Sequence, residues 1–494
     1  KARVKEGRWE ATGGMWVEAD CNIPNGESLV RQLLYGRRFF QREFGADGHI
    51  LWLPDTFGFN GALPQLIVRA GLRYFMTTKL SWNEYNRFPY DSFRWRGIDG
   101  TEVLAHFITT PCEQRYQTYN GDLEPAAVQG CWREYRQKRE HSEVLLAFGH
   151  GDGGGGPTRD MVEAARRLRD LAGVPLVTLG RAEDFFQRLE ADAEKLPVWV
   201  GELYLEYHRG TYTSQARVKR HNRKSEVLYH QAELFASLAH LLGEPYPRER
   251  LNEGWHLILR NQFHDVLAGS SIGEVYEEAE RDYQRVRELG EGALQEALAR
   301  IAARIALKQK SLVVFNSLSW ERDDIVCAPI PNDLSDDFVL IDGVTGKEVP
   351  WQRVSNHEGK PTLIFRATGI PSCGYKVYYL RPGVQRTTLS SVSATEERLE
   401  NEFFLVRLDS EGHIISIYDK LHRREIIPKG GRANLFQAFE DLPLGGDAWD
   451  INVFYQDKMW ELRDLERLRV IEKGPVRAGV ELQRTWHRSK IRQR

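Results

Sequence analysis

In the run Trp52-Leu53-Pro54-Asp55-Thr56-Phe57-Gly58-Phe59-Asn60, a carboxylate and an aromatic ring come directly after the apolar stretch His49-Ile50-Leu51-Trp52-Leu53. That stretch is short and rich in strand formers, and Pro54 closes it because proline has no ladder donor. Asp55 is therefore predicted at the carboxyl end of a buried strand. Ligand crevices of open α/β sheets lie outside those ends, which positions Asp55 to meet a substrate rather than a surface lysine. The competing reading has Asp55 cap a helix starting near Gly61-Ala62-Leu63-Pro64-Gln65.

A second cluster, Phe148-Gly149-His150-Gly151-Asp152-Gly153-Gly154-Gly155-Gly156-Pro157-Thr158, again follows an apolar run. A phosphate loop would end in Gly-Lys-Ser/Thr, whereas here the glycines give way to Pro157-Thr158, so nucleotide binding is disfavoured. The glycines instead allow close backbone approach to a ligand and bring Asp152 to the top of the sheet beside Asp55, so that two carboxylates share one crevice. The simpler alternative is a flexible turn with an incidental aspartate.

Asn261-Gln262-Phe263-His264-Asp265-Val266-Leu267-Ala268-Gly269-Ser270-Ser271 ends a helix carrying Trp255, Leu257, Ile258 and Leu259. A single histidine on such a helix is more often structural. Its position before small residues lets the imidazole leave the packed face, with Asp265 beside it to orient it or bind substrate. From Glu202 to Gln215, Tyr204, Glu206, Tyr207, His208, Arg209 and Tyr212 mix rings with hydrogen-bonding groups. Such a mixture suits a sugar, whose C–H face packs on rings while polar groups take its hydroxyls; an interdomain seam could use the same residues.

The elements that position these clusters follow from periodicity. Up to residue 195, apolar runs such as 143–148 and 175–179 read as strands alternating with helical stretches such as 158–172. That pattern predicts an α/β domain with a mostly parallel sheet. A helical bundle is expected over 196–309, with Pro245 and Pro247 in a break. Alternating Val, Ile, Phe and Tyr around turns such as Asp342-Gly343 and Glu411-Gly412 predict β-sandwich domains over 310–394 and 395–494. The fold class expected is thus multidomain.

The 494 residues are 41% hydrophobic, with a formal charge of -2. That composition is ample for large cores and lacks the positive field that nucleic acid or an anionic membrane would attract. Cys21, Cys112, Cys131, Cys327 and Cys373 are odd in number and irregularly spaced, which suggests reduced thiols in the cytoplasm. No apolar run approaches a membrane span. The opening Lys1-Ala2-Arg3-Val4-Lys5-Glu6 lacks an initiator methionine and a signal peptide's apolar core. An internal fragment of a longer protein is expected.

Taken in order, these motifs resemble those of the glycoside hydrolase family 38 α-mannosidases, especially the bacterial and cytosolic-type branch. The similarity runs from Gly13-Gly14-Met15-Trp16-Val17-Glu18 to Asp447-Ala448-Trp449-Asp450-Ile451. The resemblance implies that Asp55 is the catalytic nucleophile and a zinc ligand, that Phe57 flanks the sugar, and that His264 is a zinc ligand with Asp265 near the substrate. It also implies that Asp152 is the acid/base and that His208 and Tyr212 line the sugar pocket. The family's His-x-Asp motif, which supplies two further zinc ligands, does not precede Asp55 and is expected upstream of Lys1. Without it the chain should bind zinc weakly and be unable to turn over substrate.

The activity so implied is that of a zinc-dependent, retaining exo-α-mannosidase acting on mannose-containing oligosaccharides. Neither nucleic acid nor a membrane is an expected partner, and self-association into a homo-oligomer is left open. Two other classes stay open at this point. A zinc-dependent sugar deacetylase would also use Asp and His at strand ends, although the large β region argues against it. A carbohydrate-binding protein without activity could keep Phe57, His208 and Tyr212.

Overall fold

The computed structural model describes residues 1–45, 48–112, 116–152, 154–307, 309–331, 334, 337–355, 359–385 and 392–494. Gly153 of the glycine cluster lies outside them. The chain divides into two compact units, residues 1–236 with 245–295 and 442–452, and residues 237–244 with 296–441 and 453–494.

The first unit is built on five strands: β1 Ile50–Trp52, β2 Tyr74–Thr77, β3 Ser92–Arg96, β4 Glu102–Phe107 and β5 Val198–Val200. Their order is β1-β2-β4-β3-β5, with β3–β4 antiparallel and the other three pairings parallel. Both faces are covered, which is why the strands read as continuous apolar runs. Ile50, Tyr74, Met76 and Leu104 face a core that Phe185, Phe186 and Leu189 of the helix Ala182–Glu190 complete. Leu51, Phe75, Val103 and Ala105 face a second core, closed by Leu29 and Leu33 of the helix Gly26–Phe44. Asn25 caps that helix by accepting from Ser28 N, and Gly45 ends it in a left-handed turn. Gly36 lets its backbone pass close to the 14–15 segment, since a Cβ there would stand 2.3 Å from the Met15 carbonyl carbon.

Among the described residues, two expected strands are absent. Residues 143–148 run extended, with Leu145 and Ala147 on one core and Leu146 and Phe148 on another. Only Phe148 bridges a neighbour, Gly121, so the alternation is right but no ladder forms beside it. Residues 175–179 leave Leu176 and Leu179 exposed and unpaired. The stretch 158–172 does contain a helix, Arg159–Leu168, capped by Thr158. Asp55 does not cap the helix Leu63–Arg69, whose N-terminus makes no side-chain cap bond.

The helices Ala216–Leu241, Arg248–Arg260 and Gly273–Ala303 follow, with Pro247 at the predicted break. In the first unit they bury Tyr229, Trp255, Ile258, Leu259 and Val286 together.

The second unit holds two antiparallel sheets made from β6 Ser311–Phe315, β7 Arg322–Pro329, β8 Phe338–Asp342, β9 Glu348–Val349, β10 Trp351–Ser355, β11 Pro361–Ile370 and β12 Tyr375–Pro382. The orders are β10-β11-β7 and β6-β12-β8-β9, and one core drawn from both sheets makes them a sandwich. Further antiparallel strands follow, including the hairpin Phe404–Leu408 and Ile414–Asp419. No described helix is long and apolar enough to cross a membrane.

One core histidine makes stability depend on pH. His106 on β4 is fully buried, its Nδ1 is 2.9 Å from Ser92 Oγ, and burial pushes its pKa from 6.5 down to about 3. A lowered folded pKa means that the unfolded chain takes up the proton first. The stability present above pH 6.5 is therefore lost as pH falls toward 3. His106→Gln should remove this dependence. Between pH 7 and pH 5 the wild type should lose about 2 kcal/mol relative to the variant in denaturant unfolding, at ~1.4 kcal/mol per pH unit. Parallel stability profiles would contradict the assignment.

Candidate active site

Asp55 follows β1 at the sheet's carboxyl edge. Thr78 ties that edge to the end of β2, donating from Oγ1 (2.8 Å) and N (3.2 Å) to the Pro54 carbonyl, which fixes Lys79 opposite Asp55. Lys79 Nζ donates to Asp55 Oδ1 at 2.6 Å although its side chain is only 4% exposed. The ammonium lies 4.0 Å from the Trp82 ring centre, 5.3 Å from that of Phe57 and 5.5 Å from that of Trp449. Three aromatic faces thus stand around it in place of water. On the other oxygen, Asp55 Oδ2 accepts from Tyr119 Oη at 3.4 Å and faces His264 Nε2 at 3.6 Å. Burial works to raise the Asp55 pKa. The facing His264 imidazole and the hydrogen-bonded charge of Lys79 outweigh it and hold the group below the usual carboxylate range.

His264 begins a short helical turn, His264–Leu267, and is itself buried. Its Nδ1 lies 2.9 Å from the Glu18 carbonyl, so with Nδ1–H donating there Nε2 is aimed at Asp55 Oδ2 and, 3.7 Å away, Asp265 Oδ2. Burial disfavours the imidazolium, yet the neighbouring carboxylates of Asp55, Glu18 and Asp265 lift the pKa to about 9. The Glu18 carboxylate accepts from Asp55 N at 2.5 Å and Thr56 N at 3.1 Å, and burial raises its pKa to about 7 against the pull of His264.

Asp55, Phe57, Asp152 and Asp265 line one cavity of about 140 Å³, together with Lys79, Tyr119, Asn120 and Trp449. Asp152 reaches it on a loop closed by paired bonds between His150 and Gly156. With φ of 56°, Asp152 occupies the left-handed region. That conformation is uncommon for a residue with a side chain and is a mark of functional loops. Gly151 packs on Asn120, where a Cβ would stand 2.0 Å from Oδ1.

Neither His208 nor Tyr212 lines this cavity. His208 is 1% exposed, sandwiched between Phe57 at 4.1 Å and Trp449 at 4.9 Å, and burial pushes its pKa down to about 2. The reason is the segment 442–452, which joins the first unit. Its Trp449 carbonyl accepts from Gly210 N at 2.7 Å, and its ring takes the cavity face expected of the 206–212 turn. Glu18, Lys79, Tyr119 and Trp449 were not singled out from the sequence. Lys79 alone carried a usable signal, since it too follows a strand end, in Met76-Thr77-Thr78-Lys79.

The donor set fits part of a zinc site. An imidazole pinned through Nδ1 to a carbonyl, with Nε2 toward a carboxylate, is how metal-binding histidines are commonly held. Asp55 and His264 could supply two of the four ligands that zinc prefers, and Asp265, with Oδ2 3.7 Å from His264 Nε2, offers a further oxygen donor. Asp409, Glu411 and His413 also cluster, but Asp409 is engaged there in a turn, accepting from Glu411 N and His413 N, with Arg432 alongside.

Comparison with known proteins accounts for this arrangement. Residues 1–202 match the glycosyl hydrolases family 38 N-terminal domain, 206–301 the alpha mannosidase middle domain and 399–494 the glycosyl hydrolases family 38 C-terminal domain. The chain belongs to glycosyl hydrolase family 38. It is 35% identical to Alpha-mannosidase G of Dictyostelium discoideum over 98% of this chain and 46% of that protein. It is 37% identical to human Alpha-mannosidase 2C1 over 91% of this chain and 41% of that protein. The family 38 chain thus spans less than half the length of these relatives. In fold it is similar to an alpha-mannosidase from Enterococcus faecalis V583, with a TM-score of 0.74 at 18% identity over 98% of this chain and 59% of the other.

Replacing His264 tests the metal assignment. In the full-length protein, His264→Ala should weaken zinc binding in a chelator competition by about tenfold or more, beyond what is accounted for by the stability that the neutral, similarly sized His264→Gln loses in the metal-free fold. Undiminished zinc affinity would make His264 a packing residue.

Proposed function

We propose that the protein containing this chain is a zinc-dependent, retaining exo-α-mannosidase that removes α-linked mannose from oligosaccharides. The observation that carries the reading is the single cavity lined by Asp55, Asp152 and Asp265, with His264 Nε2 facing Asp55. The cavity holds about 140 Å³. Pockets for drug-sized ligands run to roughly 300–1,000 Å³, so this smaller space suits one sugar ring and hence action at a chain end.

Retaining glycosidases use two carboxyl groups about 5 to 5.5 Å apart. Asp55, kept ionised, attacks the anomeric carbon as the glycosidic C–O bond breaks, and Asp152 gives its proton to the departing oxygen. Asp152 then takes a proton from water, whose oxygen attacks the same carbon and releases Asp55 with net retention. Phe57 and Trp449 flank the ring, and Asp265 accepts from a sugar hydroxyl. Asp55 and His264, with two further ligands, would hold zinc, which would supply positive charge that keeps the nucleophile ionised. All five cysteines are free, which supports a reducing compartment such as the cytoplasm.

Asp55→Ala in the full-length protein should lower hydrolysis of an aryl α-mannoside by about a thousandfold or more, a loss of ~4 kcal/mol in transition-state stabilisation. Activity within about tenfold of wild type would remove Asp55 from the nucleophile role.

Asp152→Ala should spare substrates with good leaving groups, which need little protonation, and cripple those with poor ones. Azide should then accelerate turnover of the activated substrate by attacking the covalent intermediate and yield α-mannosyl azide, with the configuration of the substrate retained. Equal losses on both substrate types, with no azide effect, would place the acid/base elsewhere, with Glu206 or Asp265 next in line.

A further inference from the structure

We infer that Glu18 is the positioning residue of this site, one that holds both the nucleophile and the metal-binding imidazole without touching substrate. The inference rests on the mannosidase reading but concerns a residue to which that mechanism gives no part.

The geometry is specific to Glu18. Its main-chain carbonyl accepts from His264 N at 3.1 Å and pairs with His264 Nδ1 at 2.9 Å, which sets both the start of the turn and the direction of Nε2. Its carboxylate Oε1 accepts from the N–H groups of Asp55 and Thr56, which sets the backbone that carries the nucleophile. The flanking residues brace it from both sides. Thr56 Oγ1 donates to the Ala19 carbonyl at 3.1 Å, and Asp20 N donates to the Gln262 carbonyl at 2.9 Å. Isolated bridges extend the same lacing, Ala19 to Phe263 and Cys21 to Phe59. Two motifs more than 200 residues apart in sequence therefore meet on one side chain and its own carbonyl.

Chemistry explains why a carboxylate stands there. The two N–H groups lie in a loop beyond β1, outside any ladder, and inside the protein each needs an acceptor. One oxygen of the side chain accepts both, so the peptide preceding Asp55 is held at two points. A shift of about 1 Å at a nucleophile costs on the order of a hundredfold in rate. Groups that orient metal ligands from behind are typically worth roughly 10–100-fold in metal affinity or activity. Neither Asp55 nor His264 could keep its place if the 18–20 segment moved.

The test compares Glu18→Gln with Glu18→Met in the full-length protein. The two side chains are similar in length, but only glutamine retains an oxygen acceptor for the two N–H groups. Three quantities are measured: zinc affinity by chelator competition, kcat and KM for an aryl α-mannoside, and the unfolding temperature. We expect Glu18→Met to lose about 10–100-fold in zinc affinity and in kcat with KM close to wild type, and to unfold at a lower temperature because two N–H groups lose their acceptor, and Glu18→Gln to stay within about threefold in zinc affinity, kcat and KM. The inference is overturned if Met and Gln behave alike, or if Met lowers only the unfolding temperature and keeps wild-type kcat and zinc affinity, since Glu18 would then be structural. A wild type that binds zinc but does not cleave the mannoside would defeat the mannosidase reading instead, and the zinc affinities of the two variants would still decide the role of Glu18.

Discussion

A carboxylate withdrawn from water loses several kcal/mol of hydration unless opposite charge and hydrogen bonds replace it. Around Asp55 that requirement organises much of the first unit. Lys79 meets one oxygen, while Tyr119 and His264 face the other. Lys79 and His264 each sit beside the end of an element whose burial places it there. β2 delivers Lys79, the turn after the helix Arg248–Arg260 delivers His264, and the sheet between two apolar cores fixes β1 and β2 side by side. Remove the double-sided burial and the strand ends, and with them the charges, would have no fixed spacing.

The buried cation has its own surroundings. An ammonium inside a protein is stable when carboxylate and aromatic faces substitute for water. Lys79 has Asp55 together with Trp82, Phe57 and Trp449. The same rings line the cavity. One set of aromatic groups thus serves two ends, shielding the ion pair from behind and presenting an apolar wall to a ligand in front. His208 belongs to the rear of this wall, stacked against Phe57 and Trp449 with neither ring nitrogen hydrogen-bonded among the described residues.

What could be read from the sequence was whatever depends on local pattern. Pro54 closing an apolar run was enough to put Asp55 at a strand end, and the switch from alternating to helical to alternating periodicity marked the succession of α/β, helical and antiparallel β regions. Where pattern failed, a partner was missing or remote. Residues 143–148 alternate as a strand should, but a strand is defined by its neighbour, and only Phe148 finds one. Trp449 lies about 390 residues beyond Asp55, and nothing local says that its segment joins the first unit and takes the place expected of His208 and Tyr212. Half of what Glu18 contributes comes from its carbonyl, which every residue possesses, so residue type alone did not reveal it.

The central claim, that the partly buried Asp55 carboxylate is the nucleophile of a retaining reaction, is tested most directly by trapping. The full-length, zinc-loaded protein would be incubated with an activated fluorinated mannosyl donor that forms the covalent intermediate quickly and releases it slowly, then digested and sequenced by mass spectrometry. The account predicts a single sugar adduct on the peptide containing Leu53-Pro54-Asp55-Thr56-Phe57, carried by Asp55 and absent from Asp55→Ala. An adduct on Asp152, Asp265 or any other side chain, or inversion of anomeric configuration in the released mannose, would contradict it.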